Sequence, residues 1–372
     1  MRVLFTGGGT GGHVYPALSV IERLRSDPGY GIEAEGIAWV GRNEGMERDI
    51  IERQGLAYLP IAAGALRGRG PWAILQSLAR LARGIWQGRR LLRRWQAAAV
   101  FATGGYVTAP LVVAAWLSKR PVLIYLPDME PGLAVRVLSR FATCIAVTVE
   151  QVARFFPPER VSVTGYPVRR GLLTANRFEA RRRLGLGSGR PVLLILGGSS
   201  GAHSINMAVN RDLEGLLALA QVVHISGPLD HEALQARRAR LPEALQAEYH
   251  LAAYLHDEMV AALASADLVV ARAGAATLGE FPAVGLPAVL VPLPHAGQFQ
   301  HPNADYLAER GAAAVLEDDA LAADFAETVA ALLNDPSRLA RMSEAARQLS
   351  VDDGAERLAS LLADLAKGYS HE

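Results

Sequence analysis

The chain has 372 residues, of which 51% are hydrophobic and only 6% aromatic, with one cysteine and a formal net charge of +1. That length accommodates two ordinary domains, an Ala-, Leu-, Val- and Gly-dominated composition suits parallel strands under helices, and the lone Cys144 excludes an intramolecular disulfide framework. No apolar run approaches the roughly 18 to 20 residues of a spanning helix, and the stretch after Met1 breaks at Gly7, so the sequence predicts a cytosolic chain that does not cross a membrane.

The charge is unevenly spread: residues 1–150 carry 18 Lys/Arg against 11 Asp/Glu, a net +7, and residues 151–372 carry 20 against 26, a net −6. In chain order, the first predicted strand, residues 3–5, runs into Gly7-Gly8-Gly9-Thr10-Gly11-Gly12, and a helix follows from Tyr15. Glycines at a strand end permit positive φ and leave backbone N–H groups open to a phosphate or a sugar. Gly7, Gly9 and Gly12 match G-x-G-x-x-G, but a nicotinamide site wants an acid after the second strand. Here IAWVGRNEG has Gly41 and Arg42 there. Arg42 suits a 2′-phosphate, so an NADP-binding Rossmann protein stays a rival, beside a plain tight turn with close helix packing. A P-loop is excluded because no Lys-Ser/Thr pair follows the glycines.

Residues 54–127 hold ten Lys/Arg and no acid, which calls for an anionic partner. Within them residues 72–95 read as a helix. Leu75, Leu78, Ala82 and Ile85 fall on one side and Arg80, Arg83, Arg90 and Arg94 in another sector, with tryptophans at 72, 86 and 95. Strands follow at 98–103, 122–125 and 144–148, and a connecting stretch at 163–189. PVLLILGGSSGAHSIN from Pro191 then repeats the opening device. Further strands at 221–226, 268–271 and 288–291 alternate with helices, and helices fill the tail after Asp324. The predicted fold is α/β, two tandem Rossmann-like domains facing a cleft: residues 1–163, and residues 164–372 with the last helix free to pack back on the first domain. His224, inside an apolar strand, reads as a satisfied core residue.

In the second half, ADLVVARAGAATLGEF offers a small-residue loop at 273–276 and a helix carrying Glu280. The helix N-terminus can hold a diphosphate, and a carboxylate one turn on can accept both hydroxyls of a ribose. Complementing the helix dipole is the plainer role for Glu280. No Asp-x-Asp motif is present, Asp128-Met129-Glu130 being the nearest approximation, so the sequence predicts no obligatory metal and no cofactor.

GGGTGGHVYPAL, ATGGYV, GYPVR, LGGSSGA, RAGAATLGE and HAGQFQHPNA, in this order from the N-terminus to about residue 313, resemble the successive signatures of the MurG family. These are N-acetylglucosaminyltransferases that convert lipid I to lipid II on the cytoplasmic face of the membrane. The resemblance implies the glycosyltransferase B fold, with the acceptor lipid bound by the N-terminal domain and UDP-GlcNAc by the C-terminal one. It implies that Thr10, Gly11, Gly12, His13 and Tyr106 line the acceptor side. Ser199 would face the diphosphate, with Arg169 and the turn around His256 near the nucleotide. Ala275, Ala276 and Thr277 would supply the helix N-terminus, Glu280 the ribose contact, and Gln300 with Gln298 the GlcNAc contact. One segment departs: where the family commonly has His-Glu-Gln-Asn, this chain has Tyr125-Leu126-Pro127-Asp128, so Asp128 replaces the amide expected at the donor sugar.

The reaction implied is an inverting displacement in which the acceptor C4 hydroxyl attacks and UDP leaves. His13 is the candidate base, its ordinary pKa near ~6.5 allowing it to accept a proton at cytosolic pH. His203, at the matching place in the second glycine loop, argues that a histidine there can be structural. The rivals are a transferase acting on a different lipid and an NADP-binding or non-catalytic Rossmann protein. Because tryptophan and arginine suit the headgroup region, the basic helix is expected to dock on an anionic membrane surface as a peripheral contact, and no nucleic-acid partner is expected.

Overall fold

The computed structural model of the protein describes residues 1–8, 11–43, 46–63, 71–187, 189–198, 201–294 and 300–370. Contacts divide the chain into two units, Met1–Pro167 with Val351–Glu372 and Val168–Ser350, so the division follows Pro167 where the sequence pattern indicated residue 163.

The first unit is built on seven strands: β1 (Arg2–Thr6), β2 (Ile37–Gly41), β3 (Ala57–Pro60), β4 (Ala97–Ala102), β5 (Val122–Leu126), β6 (Cys144–Val147) and β7 (Val161–Val163). They run parallel in the order β3-β2-β1-β4-β5-β6-β7. Phe5 of β1 lies opposite Trp39 on one side and Phe101 on the other. Strands β2, β4 and β5 are buried from end to end, which is why they read as unbroken apolar runs rather than alternating ones. Helices α1 (Gly11–Ser26), α2 (Met46–Arg53), α3 (Pro71–Trp95) and α4 (Ala109–Leu117) come after β1, β2, β3 and β4. The core joins Phe5, Trp39 and Phe101 to Ala17, Ile21 and Leu24 of α1. It also takes in Leu358, Leu362 and Ala366 of the helix Gly354–Ser370.

Helix α3 packs by a face the periodicity did not mark. Its buried stripe is Ser77, Gly84, Gly88 and Leu92. A Cβ on Gly84 would strike the Ala62 carbonyl oxygen, and one on Gly88 would come within 2.9 Å of Ala114 Cβ in α4. Small residues thus let α3 lie close against its neighbours, while Ile74, Leu75, Leu78 and Trp86 are left exposed together with Arg80, Arg83, Arg90 and Arg94. Trp95 is drawn into packing, its Nε1 donating to the Gly36 carbonyl at 3.1 Å. No helix among the described residues is long and apolar enough to cross a membrane.

The second unit has six parallel strands, β8 (Val192–Leu196), β9 (Gln221–Ile225), β10 (Tyr249–Ala252), β11 (Leu268–Arg272), β12 (Ala288–Val291) and β13 (Ala313–Val315), in the order β10-β9-β8-β11-β12-β13. Val270 faces Ile195 and Val289, and Phe325 and Val329 of the helix Leu321–Leu333 close the core beside them. In both sheets the chain order reverses beside the first strand, between β1 and β4 and between β8 and β11. Such reversals open a crevice at the carboxyl ends of the strands, where open α/β sheets bind ligands.

Candidate functional site

In the first unit the reversal brings together the segments that leave β1, β4 and β5. Gly7 and Gly8 leave β1 and pack against Thr103, Gly104 and Gly105, which leave β4. A Cβ on Gly7 would collide with Thr103 Oγ1, and one on Gly105 would lie 2.6 Å from the Gly8 carbonyl oxygen. Gly104 and Gly105 adopt φ of +101° and +83°, a region that side chains disfavour. The close approach lets His13, in the first turn of α1, lay its ring on Gly104, with Cε1 3.4 Å from where a Cβ would stand. Gly11 and Gly12 open the same helix, and Thr10 lies outside the described residues.

Burial pulls the His13 imidazole below its ordinary value, opposed by the charge of Asp128 and by a hydrogen bond with the Thr103 backbone. Its Nδ1 is enclosed and has no partner among the described residues. A neutral imidazole with an uncommitted nitrogen can accept a proton. Thr6 Oγ1, Arg42 Nε, Glu47 Oε1 and Thr103 Oγ1 are likewise enclosed without partners. With His13 Nδ1 they form a cluster at the carboxyl ends of β1, β2 and β4. Folded proteins leave few such atoms, and five of those found among the described residues stand here. Tyr106 borders it, with the Arg42 guanidinium 5.7 Å above its ring.

The departure at β5 has a structural side. Tyr125 is fully buried, and its hydroxyl meets Thr148 Oγ1 at 2.9 Å and donates toward the Gly165 carbonyl at 3.3 Å, tying the end of β5 to the segment after β7. Burial holds this phenol well above its ordinary value. Asp128, half-buried beyond β5, is the charge that acts on His13.

In the second unit Gly197 and Gly198 leave β8, and Gly201, at φ +80°, packs on the Ser226 carbonyl before the helix His203–Leu219 begins. Ser199 lies outside the described residues, as does Gln298. After β11 the expected helix is split. A 3₁₀ turn, Ala275–Leu278, is separated by Gly279 from a short helix, Glu280–Val284. Thr277 commits its N–H and its hydroxyl to the Gly274 carbonyl, at 3.0 and 2.8 Å, which leaves Ala275 and Ala276 as the leading donors of the turn. Glu280 is not a bare dipole complement: its Oε1 accepts from Arg169 Nε at 3.0 Å and Nη2 at 2.8 Å. Gln300 Oε1 accepts from the Leu293 N–H at 3.0 Å, so its amide nitrogen is the end available to a sugar. His256 is exposed, with its ring 4.7 Å from that of Tyr254.

His224 is the satisfied core histidine its strand indicated. Nε2 meets Asn206 Oδ1 at 2.9 Å and Nδ1 meets the Tyr249 hydroxyl at 2.8 Å, and desolvation lowers its pKa to about 3. Asn206 also donates to Asp230, whose other oxygen meets His203 Nδ1 at 2.8 Å. His203 is exposed where His13 is half-buried with its Nδ1 enclosed, so the two matching positions are not equivalent. Asn206, Asp230, Glu47 and Thr103 escaped the sequence reading. Glu47 alone left a signal there, standing one helical turn before the fully buried Ile51. Among the described residues no group of three or more His, Cys, Asp or Glu could hold a metal ion.

Residues 3–147 match the model of the glycosyltransferase family 28 N-terminal domain, and residues 192–358 that of the glycosyltransferase family 28 C-terminal domain. The chain is 40% identical to the UDP-N-acetylglucosamine–N-acetylmuramyl-(pentapeptide) pyrophosphoryl-undecaprenol N-acetylglucosamine transferase of Roseiflexus sp. (strain RS-1), over 98% of this chain and 95% of that one. It is 36% identical to the transferase of the same name from Halothermothrix orenii, over 99% and 100%. The crystal structure of Acinetobacter baumannii MurG superposes with a TM-score of 0.72 at 28% identity, covering 98% of this chain and 99% of that one.

Proposed function

From the premise that this chain belongs to the MurG family of N-acetylglucosaminyltransferases, we propose that it transfers N-acetylglucosamine from UDP-GlcNAc to the C4 hydroxyl of undecaprenyl-pyrophosphoryl-N-acetylmuramoyl-pentapeptide, with inversion. The architecture is α/β, two Rossmann-like units of the glycosyltransferase B type. The observation that carries the reading is identity of 36–40% sustained over nearly the whole chain, both units included.

On this reading the acceptor binds the first unit, near Gly11, Gly12, His13 and Tyr106. His13 Nδ1 takes the proton as the C4 oxygen bonds to the anomeric carbon. The bond from that carbon to the diphosphate breaks, and UDP leaves with the electron pair. The enclosed neutral imidazole supports the base role, because it need not first shed a proton. In the second unit the Ala275 and Ala276 N–H groups would stabilise the departing diphosphate, Glu280 would hold the ribose, and Gln300 the sugar. The exposed Ile74, Leu75, Leu78 and Trp86 among four arginines support peripheral docking of α3 on an anionic bilayer at the cytoplasmic face. Asp128, a carboxylate in place of an amide, keeps a second reading alive, a related transferase with another lipid acceptor. The experiment is a transfer assay with purified protein, UDP-GlcNAc and a lipid I analogue. A disaccharide product is expected, while transfer only to other lipids, or binding of NADP in place of UDP, would overturn the reading.

A further inference from the structure

The carboxyl group of Glu47 has no part in the chemistry above. It stands in the first turn of α2 and is 4% exposed. Its Oε1 lies 3.1 Å from where a Cβ on Gly8 would be, against the floor of the first glycine turn. That oxygen is enclosed and receives no hydrogen bond from a described residue.

Two of the groups that could serve it are engaged elsewhere. Burial and then the neighbouring Glu47 hold the Tyr58 phenol protonated, yet its hydroxyl donates to the Arg42 carbonyl at 2.6 Å. Arg48 pairs with Glu52 at 2.8 Å, whereas Arg42, its guanidinium over the Tyr106 ring, keeps an enclosed Nε that makes no hydrogen bond to a described residue. A carboxyl oxygen shut away from water and without a hydrogen bond from a described residue is unfavourable in the ligand-free protein, and a ligand that supplies the donor relieves it.

We propose that Glu47 is an acceptor-binding residue, its carboxyl accepting a hydrogen bond from a hydroxyl or amide N–H of the acceptor's sugar-peptide beside Gly8, where no Cβ intervenes. The proposal rests on the acceptor binding the first unit. Three features bear on Oε1: the enclosing wall, the bare Gly8 beside it and the spent Tyr58 phenol.

Glu47→Gln, which keeps the shape and replaces one oxygen by an amide nitrogen, tests it by three readouts. The acceptor KM should rise about 10-fold or more, the loss of one charge-assisted hydrogen bond, while the donor KM and UDP affinity stay put. The thermal midpoint of the ligand-free protein should hold or rise by a few degrees, since the variant removes an unfavourable oxygen; stability given up for function returns when the functional group is removed. Glu47→Asp, which shortens the reach, should also raise the acceptor KM. A structural anchor does the reverse: Glu47→Gln then lowers the midpoint and disturbs donor and acceptor alike. That pattern, or transfer with an unchanged acceptor KM, overturns the proposal alone. Absence of transfer by the unaltered protein overturns the functional reading, and this proposal with it.

Discussion

Replacing Glu280 by alanine probes the donor side most directly, and the structure separates two losses. The Arg169 and Glu280 side chains are 22% and 11% exposed, and both Arg169 donors converge on Oε1. A pair so enclosed lies between a surface ion pair, worth ~0–1 kcal/mol, and a buried one, whose breaking costs ~3–5 kcal/mol, so the fold should lose about 1–3 kcal/mol. At about 2–4 °C per kcal/mol for a unit of this size, the midpoint of the second unit falls by roughly 2–12 °C. The binding loss is separate. If Glu280 accepts the ribose hydroxyls, even one charge-assisted hydrogen bond of about 1.5–3 kcal/mol weakens UDP by about 10- to 150-fold. Arg169→Ala tells the two apart, because it should reproduce the thermal loss and only part of the binding loss. The double variant should be far from additive, as for any pair in direct contact. Calorimetric titration with UDP beside scanning calorimetry reads both. A lowered midpoint with unchanged UDP affinity in Glu280→Ala would show that the pair is purely structural and refute the ribose assignment.

His13→Ala should depress kcat by about 10²- to 10⁴-fold with donor affinity nearly kept, and a fall confined to KM would remove His13 from the base role. Because burial lowers the His13 pKa from 6.5, kcat/KM should hold below that pH and fail only as the imidazole protonates. Asp128→Asn, which removes the opposing charge, should move that limb further toward acid, and an unmoved limb breaks the link between them. His224 titrates near 6.5 in the unfolded chain and at about 3 in the folded one, so between those values the unfolded state holds the extra proton. Stability is complete above pH 6.5 and falls by about 1.4 kcal/mol per pH unit as acid is added; His224→Gln should flatten that slope in urea titrations, and an identical slope would assign it elsewhere. Reversing Arg80, Arg83, Arg90 and Arg94 together should abolish sedimentation with anionic vesicles at low salt, and undiminished binding would mean that α3 does not dock.

The central strands were legible because burial on both faces leaves long apolar runs: 288–291 is β12 to the residue, and 122–125 and 268–271 each fall one residue short of β5 and β11. The edge strands β3, β7, β10 and β13 were not, being three or four residues long and mostly only half-buried. Helix α3 misled for a related reason. Periodicity finds large apolar side chains, whereas Gly84 and Gly88 pack by having none, so the buried stripe of α3 left no apolar pattern to read. In the candidate site, the glycine turns and His13 stood out because backbone conformation demands particular residues at particular places. The Arg169–Glu280 pair, 111 residues apart, left no local trace, and the unpartnered oxygen of Glu47 depends on where Tyr58 and Arg48 spend their own bonds.

The helix Gly354–Ser370 packs on α1, β4 and β5 within the first unit, and between them in the chain stands the whole of Val168–Ser350. Synthesis therefore delivers the two units out of step. All seven strands of the first sheet leave the ribosome early, yet the apolar strip that Leu358, Leu362 and Ala366 cover stays open until the second unit has been made in full. The second unit, its contacts closed within one continuous stretch, can complete itself first. A nascent chain caught in that interval offers chaperones and neighbouring chains a bare hydrophobic slot beside Phe101, and the unit that carries His13 matures only when residues 354–370 arrive to fill it.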